Sequence, residues 1–171
     1  MKQEISDLMN RQITEELYSA YLYLNFSDYF DETGLCGYAH WFSVQAVEEL
    51  SHAMRIVHFL LDNGLQVRLF EIPAPEYIVP DPATVPDILA AALAHEKKIT
   101  ALIHQLVDAA TRAGDLRTVN FLDWFVNEQT EEEINASDLI REYELFGSDP
   151  AALHIIDSEL AERSCSSLSA H

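Results

Sequence analysis

Apolar residues recur every three or four positions over long stretches, the period of an amphipathic helix rather than a strand. Four such segments run from about Gln3 to Glu32, Gly37 to Asn63, Thr84 to Gly114 and Asp115 to Phe146. Glycines at 34, 64, 114 and 147 punctuate them, and Gly64 reads as a helix C-cap. Pro86 suits the first turn of the third segment. A short fifth helix is expected from Pro150 to about Glu162, capped by Ser148 or Asp149. At 1.5 Å per residue each long helix would extend about 40 Å.

The stretch from Leu65 to Pro82 holds Pro73, Pro75, Pro80 and Pro82 and makes a poor helix. It is too long for a tight turn, and extended it could run the length of a neighbouring helix. The first and second helices are joined tightly, as are the third and fourth, so each pair is antiparallel. The chain is therefore expected to be all-α: a four-helix bundle with one long crossover between its second and third helices and a short C-terminal fifth. Residues 1–163 form one domain in this reading, with 164–171 as a flexible tail.

Each apolar stripe is broken near its middle by polar residues. The first reads Met9, Ile13, Glu16, Ala20, Tyr23; the second Phe42, Ala46, Glu49, Ala53, Ile56. The third reads Leu89, Ala92, Glu96, Ile99, Ile103; the fourth Leu122, Phe125, Gln129, Glu132, Ala136. His52 lies one turn after Glu49 on the same face. A single Glu on such a stripe reads most simply as a boundary residue. Four coincident breaks do not, because carboxylates gathered in a core repel and desolvate at a cost of several kcal/mol each. No Lys or Arg lies on these stripes beside them. A metal cation would remove the cost, and oxygen ligands with one imidazole favour iron or manganese.

Composition agrees. The 171 residues carry 29 acidic against 10 basic side chains, a formal charge of −19. That balance disfavours nucleic acids and anionic membranes as partners and suits cations. With 49 % hydrophobic residues the chain can build a core. Cys36 and Cys165 have no CxxC spacing, so no thiolate metal site or disulfide framework is expected. No signal-like start and no run of about 18 apolar residues is visible, which makes a cytoplasmic location the expectation.

Di-iron carboxylate bundles take one Glu from each of two helices and Glu-x-x-His from the other two. Here Glu16 and Glu96 match the single positions, Glu49-x-x-His52 matches one motif, and Gln129-x-x-Glu132 stands in place of the other. With Glu15-Glu16-Leu17-Tyr18-Ser19, Tyr23, Glu48-Glu49-Leu50-Ser51-His52, His95-Glu96 and Trp124 through Glu133, the chain resembles the haem-free bacterial ferritins over residues 1 to about 163.

The resemblance implies a ferritin-like fold and a shell of 24 identical subunits. Each bundle would oxidise Fe(II), with O2 or peroxide, at a dinuclear ferroxidase centre and deposit ferric mineral inside. By position, Glu16, Glu49 and His52 resemble the ligands of the first iron. Glu49, Glu96 and Glu132 resemble those of the second, with Gln129 beside it and Tyr23 near the centre. A third iron site facing the cavity would take Glu48, Glu128 and Glu131, with Glu132 shared; a solvated acidic face is the plain alternative. Bacterioferritins place a haem-ligating Met just after the bridging Glu. Here that residue is Leu50, so no haem is expected, and Met54 reads as a packing residue.

Tyr23 and Trp124 are core aromatics or redox-active side chains, while His40, His58, His95, His104 and His154 read as ordinary. Competing functions are a non-storage di-iron enzyme such as a peroxide reductase, although the paired CxxC motifs usual there are missing, and a purely structural bundle with solvated carboxylates. A DNA-protecting mini-ferritin is disfavoured by the fifth helix and the lack of a basic tail.

Overall fold

The computed structural model describes residues 3–75 and 84–164. It consists of five helices: α1 (Gln3–Glu32), α2 (Cys36–Asp62), α3 (Val85–Ala113), α4 (Leu116–Phe146) and α5 (Pro150–Leu160). Among the described residues there is no strand, and no helix is long and apolar enough to cross a membrane. The fold is thus the all-α bundle with a short fifth helix. Part of the crossover (76–83) and nearly all of the expected tail, including Cys165, lie outside the described residues.

Local chemistry sets the helix ends. Gly64 and Gly114 both adopt φ of +68°, which L side chains avoid. Each lets the following N–H, of Leu65 or Asp115, reach back to the carbonyl of Leu60 or Ala110, at 2.9 and 3.0 Å. At the start of α3, Asp87 accepts from the Thr84 N–H at 3.0 Å, and Pro86 stands in the first turn. Asp115 caps α4 through the Thr118 N–H, and Asp149 caps α5 through the Ala151 N–H.

The start of α2 has no side-chain cap of its own. Its cap comes from α5: Asp157 Oδ1 accepts from the N–H groups of Gly37 and Tyr38, at 2.8 and 3.0 Å. Gly37 is needed for that approach, because a Cβ there would lie 1.6 Å from the Asp157 carbonyl oxygen. Ile156 of α5 joins the buried core, which fastens this helix to the bundle.

Two apolar cores fill the bundle. One is built around Tyr23, Phe26, Phe30, Phe42, Leu89 and Leu139. The other is built around Met9, Ile13, Ile56, Ile103, Leu122 and Phe125. Following each helix from one core to the other crosses the same polar layer. It lies after Ile13 in α1, after Ala46 in α2, after Ala92 in α3 and after Phe125 in α4. The order of crossing also makes α1 antiparallel to α2 and α3 antiparallel to α4, with α2 and α3 running the same way. A long crossover is what allows two consecutive helices to run parallel.

Candidate metal centre

The centre of the polar layer is formed by buried side chains from four helices. Glu16 (α1), Glu49 and His52 (α2), Glu96 (α3), and Gln129 and Glu132 (α4) are each 4 % exposed or less. These are the residues that interrupt the apolar stripes, so the helical rotations place all of them inward. Nδ1 of His52 lies 3.4 Å from Glu49 Oε2 and 3.9 Å from Glu16 Oε2. One ligand atom from each of these three residues falls within 4.8 Å of the others. Ligand atoms about 2.1 Å from a shared first-row ion stand roughly 3–4 Å apart, so this triad has the dimensions of a metal site.

Two atoms of the triad carry a further signal. Glu16 Oε2 and His52 Nδ1 are buried without a hydrogen-bond partner. Native cores rarely leave such atoms unmatched, and a cation held between them would satisfy both. Burial pushes the carboxyl groups of Glu16, Glu49, Glu96 and Glu132 above the ordinary range. Neighbouring carboxylates add to the rise: Glu49 acts on Glu16, and Glu96 acts on both Glu49 and Glu132. Without a cation the layer favours protons, and a multivalent ion would displace them.

The surrounding groups fix the carboxylates in place. Tyr23 donates its hydroxyl hydrogen to Glu96 Oε1, and Gln129 Nε2 donates to Glu96 Oε2 at 3.0 Å. Gln12 Nε2 donates to Glu16 Oε1 at 2.7 Å. Gln45 Nε2 donates to Glu132 Oε2 at 2.8 Å and to Glu49 Oε1 at 3.2 Å. The sequence reading missed Gln12 and Gln45. A signal was present, since each precedes a stripe glutamate by four residues and so shares its face.

The other face of His52 opens a second group. Its Nε2 lies 3.8 Å from Glu128 Oε1, and His52, Glu128 and Glu132 could also share an ion. Glu48 and Glu131 belong to neither ion-sized group among the described residues. Both sit close enough to help raise the Glu128 carboxyl, after burial itself. Glu131 is exposed, and Glu48 is buried with Oε2 2.5 Å from the Arg163 guanidinium.

Two smaller expectations change. Met54 is 42 % exposed, not packed, and lies one turn from the 47 % exposed Leu50 on the outer face of α2. His95, read as ordinary, is buried in the polar layer with Nε2 2.8 Å from Ser19 Oγ. The Ser19 hydroxyl donates to the Glu15 carbonyl, so the His95 Nε2–H is the donor to Ser19. Burial, helped by Lys98, lowers the His95 imidazole to about 4. Trp124 packs edge-on to His52 at 5.3 Å, with the Arg55 guanidinium 4.2 Å above its ring.

Comparison with known proteins places this arrangement in a family. A sequence profile described as the ferritin-like domain matches residues 6–146. The bacterial non-heme ferritin of Bacteroides fragilis is 32 % identical over 164 residues, covering 95 % of this chain and 99 % of its own. A probable bacterial non-heme ferritin-like protein of Haemophilus influenzae is 32 % identical over 166 residues, covering 96 % and 98 %. Among solved structures, an open pore ferritin from the hyperthermophilic archaeon Archaeoglobus fulgidus superposes with a TM-score of 0.91 at 38 % identity, covering 96 % of this chain and 99 % of that one. An engineered closed form of the A. fulgidus ferritin has a TM-score of 0.91 at 39 % identity, covering 96 % and 98 %. With the profile spanning most of the chain and the relatives matching it nearly end to end, this chain belongs to the ferritin family and is similar to its bacterial non-haem members.

Proposed function

We propose that this protein stores iron, oxidising Fe(II) at a dinuclear carboxylate centre and holding the ferric product inside a shell of 24 copies of the chain. The observation that carries the reading is the buried layer of Glu16, Glu49, His52, Glu96 and Glu132, with an unpartnered carboxylate oxygen and imidazole nitrogen facing one another. The names of the relatives and the net charge of −19 support it.

Iron is the substrate in this scheme, and the chain's residues bind and orient it. Glu16, Glu49 and His52 hold the first ion. Glu49, Glu96 and Glu132 hold the second, so Glu49 is shared, and Gln129 flanks the second position. Each ferrous ion gives up one electron to a two-electron oxidant, O2 or peroxide. The carboxylates favour the higher-charged product electrostatically. Binding displaces the protons that the buried carboxyls otherwise keep. Tyr23, Gln12 and Gln45 hold the carboxylates by hydrogen bonds, and on Glu16 the bond is to Oε1, which leaves Oε2 free for an ion. Only one imidazole serves the centre, so the second position is held by oxygen ligands alone; this suits passage of iron rather than its permanent retention. With His52 Nδ1 on the first ion its Nε2–H faces Glu128, and Glu128 with Glu132 would offer iron an onward position toward the exposed Glu131. The reading carries with it a cytoplasmic location and no haem.

The Glu49→Ala variant removes the shared ligand, and its initial rate of aerobic Fe(II) oxidation should fall at least tenfold. A rate equal to the parent's would sink the assignment. Storage is tested separately, by the iron retained per chain after repeated Fe(II) additions and desalting, with the elution volume from the same column. Iron far above three per chain in a very large particle is the expected result. Two or fewer in a small oligomer would leave a di-iron enzyme in place of a store.

A further inference from the structure

Arg163 lies just beyond α5, on a different part of the chain from every residue of the candidate centre, yet its guanidinium reaches the edge of the polar layer. Its Nη2 donates to Gln45 Oε1 at 2.8 Å and to Glu48 Oε2 at 2.5 Å, and its Nη1 donates to the Trp41 carbonyl at 3.3 Å. The guanidinium lies 4.2 Å over the Trp41 ring. The backbone is held too, since His40 Nε2 lies 2.8 Å from the Arg163 carbonyl oxygen. One turn before the end of α5, Asp157 ties the helix to the start of α2.

Gln45 connects this anchor to the metal layer. Its side-chain amide has one accepting oxygen and one donating nitrogen, and it could stand in either of two flipped orientations. Guanidinium only donates, and carboxylate only accepts. With Arg163 on one side, the oxygen must face Arg163, and the Nε2–H2 must face Glu132 and Glu49, which it meets at 2.8 and 3.2 Å. Without Arg163 the flipped amide would aim its oxygen at two carboxylates, or would move away.

We propose that Arg163 is a positioning residue for the dinuclear centre: it locks the Gln45 amide so that Gln45 holds the carboxylates of Glu49 and Glu132. The inference rests on the reading of those residues as metal ligands. It also gives α5 a role in that reaction, because the position of the helix sets the position of the guanidinium. Arg163 touches neither substrate nor reacting atoms and is not a catalytic residue.

Co(II) tests this without iron oxidation, through its visible d–d absorption and its binding curve on the full-length protein. The parent should bind two Co(II) per chain with a carboxylate–imidazole spectrum. Arg163→Ala should weaken Co(II) binding about tenfold and change the band shape, as loss of a group that orients ligands commonly does. Gln45→Leu should do the same, and the double variant should be no worse than either single one, because both act through one bond chain. Arg163→Lys keeps the charge and a donor for Gln45 and Glu48 but has no fork to reach the Trp41 carbonyl as well, so it should restore part of the affinity. If Arg163→Ala folds poorly, Arg163→Lys and Gln45→Leu still decide the matter through affinity and spectrum. Parent-like Co(II) binding in Arg163→Ala, or losses that add fully in the double variant, would overturn the role of Arg163 while leaving the centre intact. A parent that binds no Co(II) at these residues would overturn the centre itself, and this inference with it.

Discussion

The phenol of Tyr23 on α1 donates its hydrogen bond to the carboxylate of Glu96 on α3, joining two helices through the middle of the polar layer. Burial, then the charge of Glu96, raises the phenol's ionisation well above its ordinary range, so it remains a donor at neutral pH. Its ring packs against Phe26 and Phe42, at centroid distances of 6.0 and 5.8 Å. Tyr23→Phe keeps that packing and removes the hydrogen bond. Chemical denaturation of the variant should show a loss of about 0.5–1.5 kcal/mol, the usual worth of one such bond. A loss several times larger would mean that the ring and not the hydroxyl is the anchor.

The buried carboxyls weaken the fold that holds them. Glu16→Gln removes the ionisable group from a wholly buried position beside Glu49 while keeping the shape. In metal-free protein it should raise stability by on the order of 1–3 kcal/mol, the usual scale for relieving an unmatched buried polar group. The same variant should slow initial Fe(II) oxidation. Thermal denaturation in the presence of a chelator, paired with an oxidation assay, reads both. A Glu16→Gln protein that is less stable without metal would mean that the parent carboxyl is already well satisfied.

The pH dependence has two parts of opposite sign. Glu16, Glu49, Glu96 and Glu132 have raised carboxyl pKa values in the folded chain, so the folded state binds more protons than the unfolded state above about 4.3. Their contribution falls as pH rises. His95 is lowered to about 4, so its contribution falls as pH drops below about 6.5. Above pH 6.5 only the carboxyl slope remains of these two. Metal-free protein should therefore lose melting temperature between about pH 6.5 and 8, whereas Co(II) should stabilise it more at the higher pH, because the ligands must be deprotonated to bind. Metal-free stability that stays level over this interval would show that the carboxyls ionise normally.

The seat of α5 can be tested at a single atom. A Cβ on Gly37 would lie 1.6 Å from the Asp157 carbonyl oxygen and 2.9 Å from its Oδ1, so α5 would have to move. Gly37→Ala should cost about 1–3 kcal/mol, as overpacking does. Asp157→Ala, which strips the cap from α2 without a clash, should cost about 0.5–2 kcal/mol. Denaturation curves separate the two. Equal stability of Gly37→Ala and the parent would mean that α5 is free to shift outward.

Much of this protein could be read along the chain. The apolar stripes of period 3.6 and the stop glycines marked α1 to α4 to within a residue or so, because helix faces and helix ends are local properties. The proline-rich stretch after Gly64 separated two hairpins, and so the topology. Glu16, Glu49, His52, Glu96, Gln129 and Glu132 were visible because a polar residue on a buried stripe has nowhere else to point. What the chain alone left open was contact across helices. Periodicity states which face is buried but not how two facing helices rotate and slide against each other. Only packing decided that Gln45 meets Glu132, 87 residues away, and that Arg163 meets Gln45, 118 residues away. It also decided that His95 is enclosed by Tyr18 and Tyr23, that Asp157 caps a helix it does not belong to, and that Met54 stands on an open face. A hydrogen bond needs two atoms within about 3 Å at a set angle, and for residues far apart in the chain only the assembled bundle brings them that close.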